Sequence, residues 1–535
     1  MSVTTGVKRR SEAVALPAFR LGSWKLVLVL AGICILPIVL YAPFFNEPFH
    51  RDEGFYAAVA QIMRHGGIPY RDAFDNKPPL IFAWYYASFA LFGEHIWAPR
   101  LLVSILVSAT TLLVYFQARF IYSQRGALVA AGAFAMSMGF AVFETNANVE
   151  YFMLLPTVAA LLCFTIGERR GGLGWYLLAG ALSGVSVMTK ETSIFAFALF
   201  FLIVAWREYK VHRWGFMRSG LFWRKSVAMG TAFLLALGLV FVPFLLTGTS
   251  KDFFDAVFIY TWLYVGGGQG DVFKLQQIVT APVMLVIATG PFAIFGAFGL
   301  WAFWRCKEWS ERKLVALWSV AAMLGIVAAG RFFAHYYVIL LPGIALLLPA
   351  GIVYVRDRWQ TERARLIVWS LLAVSLITPV GLAGAIYLHT SADARHEQKF
   401  FHIDRAQWET ESPALAQWID ARTTPSDYIY NMGFQADVYF YAQRRSPTRF
   451  VFDYPFFLNH QFELDAIQDL KANMPKYVFY SPLDEPPSQP GGDYYPQQMY
   501  DFIQQNYDYM GRIYYADVWQ LKRAPLPRPG IQPPL

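Results

Sequence analysis

Charge is what this sequence has least of. Only 15% of its 535 residues are Asp, Glu, Lys or Arg, against 56% hydrophobic. Soluble domains carry about 25% charged residues, so an ordinary water-soluble fold is excluded. Cysteine is also sparse. Cys34, Cys163 and Cys306 lie in or beside apolar runs, with no CxxC and no Cys/His cluster, which gives neither a disulfide framework nor a zinc site. GxxxxGKS/T, a strand-to-helix GxGxxG and HExxH are missing too, so a soluble nucleotide-sugar enzyme is a poor fit. The formal net charge of +8 would suggest nucleic acid in a soluble protein. Here its placement matters more than its size, and no nucleic-acid partner is expected.

What is present is a series of long apolar runs. A helix needs roughly 20 apolar residues to cross a bilayer. Segments 24–43, 97–119, 126–144, 149–167, 174–189, 193–206, 226–247, 278–303, 314–330, 335–355 and 366–388 read as candidate spans, about eleven in all. Lys8, Arg9 and Arg10 precede the first run, which is longer than a signal-peptide core and lacks a small-residue cleavage site; it reads as a retained span. One set of alternating loops holds Arg119, Arg125, Arg169, Arg170 and the basic stretches 207–225, 305–313 and 356–365. The other holds Asp52, Glu53, Asp72, Asp75, Glu144, Glu150, Glu191, Asp252, Asp255 and Asp271. Cytoplasmic loops collect Lys and Arg, so the basic set and the tail 1–23 are assigned to the cytoplasm. An odd number of spans then puts the C-terminal region outside.

Two outer segments exceed simple connectors. In 44–96, the pieces Gly54–His65 and Leu80–Phe92 have helical spacing without spanning length, which suits the interface. In Thr249–Val279, the run Gly266–Gly270 reads as a flexible lid or as slack connector, and both remain open. From His389 the composition shifts toward Pro, Gln, Asp and Tyr. Strand-like Tyr428–Asn431, Arg449–Phe452 and Tyr477–Tyr480 alternate with helical Pro413–Ala421, Phe456–Ala472 and Pro496–Tyr507 before a closing hairpin at Gly511–Leu521. The expected organisation is a helical membrane domain over 24–388, a soluble α/β domain over 389–523 and a disordered Pro-rich tail over 524–535.

Candidate chemistry crowds the outer rim. His50-Arg51-Asp52-Glu53-Gly54-Phe55-Tyr56 follows the first span. Ionisable residues beside a membrane core are costly and read as functional by default. Asp52 and Glu53 are the candidate catalytic carboxylates: Asp52 could act as a general base toward a hydroxyl, and Glu53 could pair with Arg51 or a neighbouring base. The competing reading is a solvated helix N-terminus. In Asp75-Asn76-Lys77-Pro78-Pro79-Leu80, the prolines fix the backbone and hold Lys77 at headgroup level. That suits a lipid phosphate or simple snorkelling. Asn146, Asn148 and Glu150 form a polar outer loop able to read sugar hydroxyls, with Asn148 favoured as a helix cap. Lys190, Arg331 and His335 are cations on the face where cations are disfavoured. An anionic ligand explains them; so do ion pairs with Glu144, Glu150 or Glu191.

Taken in order, Asp52-Glu53-Gly54-Phe55-Tyr56-Ala57, Lys77-Pro78-Pro79-Leu80, Thr189-Lys190 and His335-Tyr336-Tyr337 through Leu341-Pro342 resemble the GT-C glycosyltransferases of the protein O-mannosyltransferase and lipid A aminoarabinose transferase type. The resemblance covers 24 to about 388. It implies a polyprenyl-phosphate-sugar donor, transfer on the non-cytoplasmic face to a lipid, glycan or protein acceptor, Asp52 as catalytic base and Lys77 as ligand of the donor phosphate. His335 and Tyr336 or Tyr337 would line the same cavity, with Tyr56, Asn146 and Glu150 as further lining residues. Asn76 departs from the pattern. Aminoarabinose transferases carry a Glu there that helps hold a metal or orient the site, so no metal is carried over; a divalent metal stays open, with no motif to support it. The competing classes are a transporter or flippase, against which the rim placement of charge and the lack of paired broken helices argue, and a non-catalytic envelope-assembly protein. A bacterial inner membrane is the expected location.

Overall fold

The computed structural model describes residues 24–138, 146–266, 279, 283, 291–305, 310–330, 332–358, 362–363, 366–367, 370–371, 373–374, 389–399, 406–481 and 496–522. The two tails, Glu144, Gly267 to Gly270, Asp271, Cys306, Arg331, part of the predicted span 278–303 and most of the span 366–388 lie outside the described residues.

The apolar runs form helices: α1 (Trp24–Tyr41), α2 (Arg51–Arg64), α3 (Leu80–Phe92), α4 (Trp97–Arg119), α5 (Gln124–Ser137), α6 (Val149–Arg170), α7 (Leu173–Thr189), α8 (Ile194–His212) and α9 (Gly220–Leu246). Next come α10 (Ser250–Phe254), a π-helical turn (Asp255–Tyr260) and α11 (Thr261–Gly266), then α12 (Pro291–Trp304), α13 (Glu311–Ala328), a 3-10 turn (Ala334–Leu340) and α14 (Leu341–Arg358). Among the described residues, five helical segments are long and apolar enough to cross a bilayer: Trp24–Phe44, Trp97–Arg119, Val149–Arg170, Gly220–Leu246 and Ala334–Arg358. The two outer-segment pieces are helical, as their spacing implied, and α2 and α3 pack on each other. Close helix approach relies on glycine. A Cβ at Gly180 would overlap the α9 backbone at Met229, and one at Gly299 would overlap the α14 backbone at Leu347. Apolar burial gives membrane helices little reason to associate, so such small-residue contacts bring them together.

The C-terminal segment adds α15 (Ala392–Lys399), α16 (Ala406–Asp420), β1 (Ile429–Met432), α17 (Asp437–Ala442), α18 (Tyr454–Leu458), α19 (His460–Ala472), β2 (Tyr477–Tyr480), α20 (Gln497–Asn506), β3 (Tyr507–Ile513) and β4 (Ala516–Leu521). The strands form one mixed sheet in the order β1-β2-β4-β3. β1 and β2 are parallel, β4 runs antiparallel to β2, and β3–β4 is the expected hairpin, with an irregularity between Tyr509 and Gly511. The parallel strands are buried along their whole length, as parallel pairs usually are; Trp418 of α16 packs on Tyr477 and Phe479. Arg449–Phe452 is not a strand. Its apolar residues are buried by docking onto the outer segment instead: Phe450 against Phe74, Phe452 against Phe55, with Phe74 N–H donating to the Arg449 carbonyl at 2.7 Å. β-like composition there marks a contact surface.

This docking is extensive. The Phe49 N–H donates to the Tyr441 hydroxyl at 2.8 Å, and the Phe49 ring packs on Phe440 and Tyr441. Gly54 of α2 meets Asp437 of α17 so closely that a Cβ would collide with its side chain and backbone. The sheet-bearing segment and the first outer segment therefore share one packed interior.

Candidate functional site

Helix α2 begins with His50 as N-cap, and the Glu53 side chain reaches back to the N-cap in a capping box. Acidic residues in a first helical turn are favoured by the dipole, but Asp52 and Glu53 meet different surroundings. Glu53 is fully buried and accepts four hydrogen bonds: from Arg100 Nε (2.9 Å) and Nη2 (2.5 Å), from Ala147 N–H (2.7 Å) and from His50 N–H (3.0 Å). Burial alone would raise its pKa. The charge and hydrogen bonds of Arg100, with the two backbone donors, outweigh it and hold the carboxyl down at about 2. Arg100, itself buried, also donates to the carbonyls of Phe44, Glu47 and Pro48. Of the pairings open to Glu53, the structure uses Arg100 rather than Arg51, whose guanidinium lies over the Phe434 ring.

Asp52 accepts one long hydrogen bond, from Asn148 Nδ2 at 3.3 Å. Burial acts to raise its pKa, but His50, Arg51, His335 and Lys77 together bring it below the ordinary value. It is an ionised carboxylate facing cations from three stretches of the chain, with little hydrogen bonding to restrain it. Asn148 caps α6 as expected, accepting from Val149 N–H at 2.8 Å, and its Oδ1 also accepts from the Tyr56 hydroxyl at 3.3 Å.

Lys77 is held through its backbone. Asp75 Oδ1 accepts its N–H at 3.0 Å, and the Tyr70 hydroxyl donates to its carbonyl at 2.8 Å. The Thr261 hydroxyl of α11 donates to the neighbouring Asn76 carbonyl at 3.3 Å, and Lys77 Nζ lies 5.9 Å from the centre of the Tyr264 ring. Burial disfavours the ammonium, yet Tyr336, Tyr264, Asp75 and Asp52 reverse that and raise its pKa. Burial pushes Asp75 the other way for a carboxyl, up to about 6, with Lys77 and backbone N–H groups opposing and Asp52 assisting. Asp52 and Lys77 thus act on each other across one site.

The remaining predicted residues divide. Lys190 forms a buried ion pair with Glu150, and its Nζ lies 3.9 Å over the Tyr336 ring. His335 Nε2 is 4.0 Å from the same Glu150 carboxylate. An ion pair with Glu150, one of the two explanations open for Lys190 on sequence, is present. Asn146 Oδ1 accepts from Asn148 N–H at 3.0 Å, while its Nδ2 has no hydrogen-bond partner among the described residues. Tyr337 belongs to the apolar core. Arg331 lies outside the described residues. Position 76 is Asn, and among the described residues no group of three or more His, Cys, Asp or Glu converges.

With this geometry in view, relatives become informative. Residues 76–223, beginning just before Lys77, match the family described as dolichyl-phosphate-mannose-protein mannosyltransferase. The crystal structure of ArnT from Cupriavidus metallidurans bound to undecaprenyl phosphate superposes with a TM-score of 0.58, covering 92% of this chain and 97% of that one at 16% identity. The chain has the GT-C fold. It is an integral membrane protein. A second GT-C structure, archaeal oligosaccharyltransferase AglB from Archaeoglobus fulgidus with an inhibitory peptide and a dolichol-phosphate, gives a TM-score of 0.51 over 86% of this chain and 70% of that one, at 13% identity. Among curated proteins, the undecaprenyl phosphate-alpha-4-amino-4-deoxy-L-arabinose arabinosyl transferase of Pseudomonas aeruginosa is 23% identical over 345 residues, 62% of this chain. A candidate mannosyltransferase of Bacillus subtilis, YycA, is 29% identical over 189 residues, 32% of this chain. The matches span 60% and 27% of those relatives' own lengths.

Sequence reading of this GT-C chain missed Arg100, Glu47 and Glu409. Arg100 carried a usable signal, a lone arginine at the outer end of a predicted span, where the positive-inside bias disfavours it. Glu47 and Glu409 did not, because the contacts that tie the two segments together, Glu47 to Lys399 and Glu409 to the Arg51 N–H, join residues more than three hundred positions apart in the chain.

Proposed function

We propose that the protein is a membrane glycosyltransferase that moves a sugar from a polyprenyl-phosphate carrier to a hydroxyl of a lipid, glycan or protein acceptor on the non-cytoplasmic face. The observation that carries this reading is the placement of a sparsely bonded carboxylate, Asp52, and a half-buried ammonium, Lys77, within each other's electrostatic field. The acceptor oxygen attacks the anomeric carbon and its proton passes to Asp52. The bond from that carbon to the phosphate oxygen breaks, and the departing polyprenyl phosphate, with its extra negative charge, is stabilised by Lys77. Fixed positive charge aimed at developing negative charge is commonly the largest catalytic contribution. In-line displacement inverts the anomeric centre. Glu53, bonded on both oxygens, holds the turn that presents Asp52. The bound undecaprenyl phosphate and dolichol-phosphate of the two structural relatives support a lipid-phosphate carrier here.

This reading takes the chain as spanning a bacterial inner membrane about eleven times, with a cytoplasmic N-terminus and the segment 389–523 in the periplasm. The docking of that segment onto the Asp52 loop supports one compartment for both. The test is glycolipid and glycoprotein mass spectrometry of a strain lacking the gene, complemented with wild type or D52N. A glycan lost on deletion, restored by wild type and not by D52N at equal membrane abundance, is expected. Full restoration by D52N would overturn the assignment.

A further inference from the structure

The segment that presents Asp52 is gripped from the C-terminal region at several points. Glu409 of α16 accepts the Arg51 N–H at 2.8 Å, one of the free donors at the start of α2, and lies 3.9 Å from His50 Nε2. Its other oxygen meets His396 of α15 at 2.5 Å. The Phe49 N–H is taken by Tyr441. Upstream, Glu47 pairs with Lys399 at 2.5 Å and with Arg395 at 3.5 Å, and Arg395 also donates to the Pro43 carbonyl. Glu47, His50, His396, Lys399 and Glu409 are all buried. Such an arrangement is expensive to hide from water unless each charge is met, and it is concentrated on the residues leading up to Asp52.

We propose that Glu409 is a positioning residue for the transfer reaction: from the C-terminal region it fixes the backbone next to Asp52, so that this region completes the active site rather than merely accompanying it. This rests on Asp52 being the base. The helix turn beginning at Arg51 has unsatisfied N–H groups; a carboxylate from another part of the chain on the first of them sets how the turn is tilted, and with it where the Asp52 oxygens point. Small errors at such a position cost rate, because a base must lie within hydrogen-bond reach of the proton it takes. Burial, reinforced by Lys399, depresses His396 to about 3, so at neutral pH it is uncharged and offers Glu409 a ring N–H without competing for its charge. Tyr441 plays the same part more weakly at Phe49.

Glu409 has no hydrogen bond or ion pair with Lys77 among the described residues, and this separates a positioning role from general loss of structure. The gene-deleted strain is complemented with wild type, D52N, E409A, E409Q and Y441F, and two quantities are read: product glycan per unit of membrane-inserted protein, and the affinity of each purified protein for undecaprenyl phosphate. E409A is expected to lower product at least tenfold with phosphate affinity within twofold of wild type. E409Q, which keeps an oxygen acceptor for the Arg51 N–H, should recover most of it, and Y441F should lose a few-fold. Full product from E409A, an equal loss in E409Q and E409A, or a phosphate affinity that falls in step with product would each overturn the proposal. If E409A fails to accumulate, Y441F decides: unchanged product refutes it. A D52N variant that restores product sinks the general-base assignment itself, whereas an inactive D52N beside a fully active E409A sinks only the role of Glu409.

Discussion

The two ends of the candidate site are built differently. At the Asp52 end, side chains from distant parts of the chain, Arg100, Glu409 and Tyr441, clamp the backbone of residues 47–53. At the Lys77 end the lysine's own backbone is held locally by Asp75 and Tyr70, helix α11 adds a long bond at Asn76, and the distant grip falls three residues upstream, where the Phe74 N–H meets the Arg449 carbonyl. In the proposed reaction, a base on a clamped backbone and a phosphate ligand held mainly by its neighbours suit a proton transfer that tolerates little displacement and a lipid carrier that must enter and leave.

That contrast can be broken at either end. The largest effect is expected from D52N, with transfer falling by about a hundred- to ten-thousand-fold, the usual range for a lost general base, while undecaprenyl phosphate binding is retained; both are measurable on the purified protein. Next is E53Q, which takes from buried Arg100 its ion-pair partner and leaves it only the weaker field of Glu47. Removing one partner of a buried pair costs about 3–5 kcal/mol, so thermal unfolding in detergent should drop sharply, and a normal melting curve would contradict the clamp described for Glu53. K77A should reduce transfer on the order of a hundredfold and, unlike D52N, weaken undecaprenyl phosphate binding as well. The smallest effect concerns Asp75, whose carboxyl sits at about 6. At pH 7.5 it is ionised and opposes an incoming phosphate; below its pKa it is neutral and does not. D75N should therefore bind undecaprenyl phosphate about threefold more tightly than wild type at pH 7.5, since adding or removing a nearby like charge shifts such equilibria modestly, and the advantage should vanish by pH 5. A ratio that does not change with pH would place Asp75 outside the phosphate's field.

Periodicity and length made most of the helices legible. Trp97–Arg119 coincides with its predicted span, and α2 and α3 appear where short amphipathic pieces were expected. Asp52 and Lys77 stood out because charge at a membrane rim is rare enough to demand a reason. What sequence hid was anything depending on distant partners. Glu53 looked like a second acid until Arg100 was seen to saturate it. For Lys190 the sequence left an anionic ligand and an ion pair both open, and only the fold shows that Glu150 is the partner. Arg449–Phe452 looked like a strand because aromatic residues buried against another segment have the composition of residues buried in a sheet. Local pattern reports that a group is buried, not what buries it.

The missing side chain at Gly54 has a consequence for how such proteins can be recombined. Because α2 and α17 touch through that gap, a chimera that exchanges everything after residue 388 while keeping the parental first outer segment sets two unmatched surfaces against each other. Exchanges that transfer both pieces together should insert and accumulate, while single-piece swaps should not. The practical unit of inheritance is then a discontinuous one, a loop near the start of the chain and a domain near its end, cut from the same cloth.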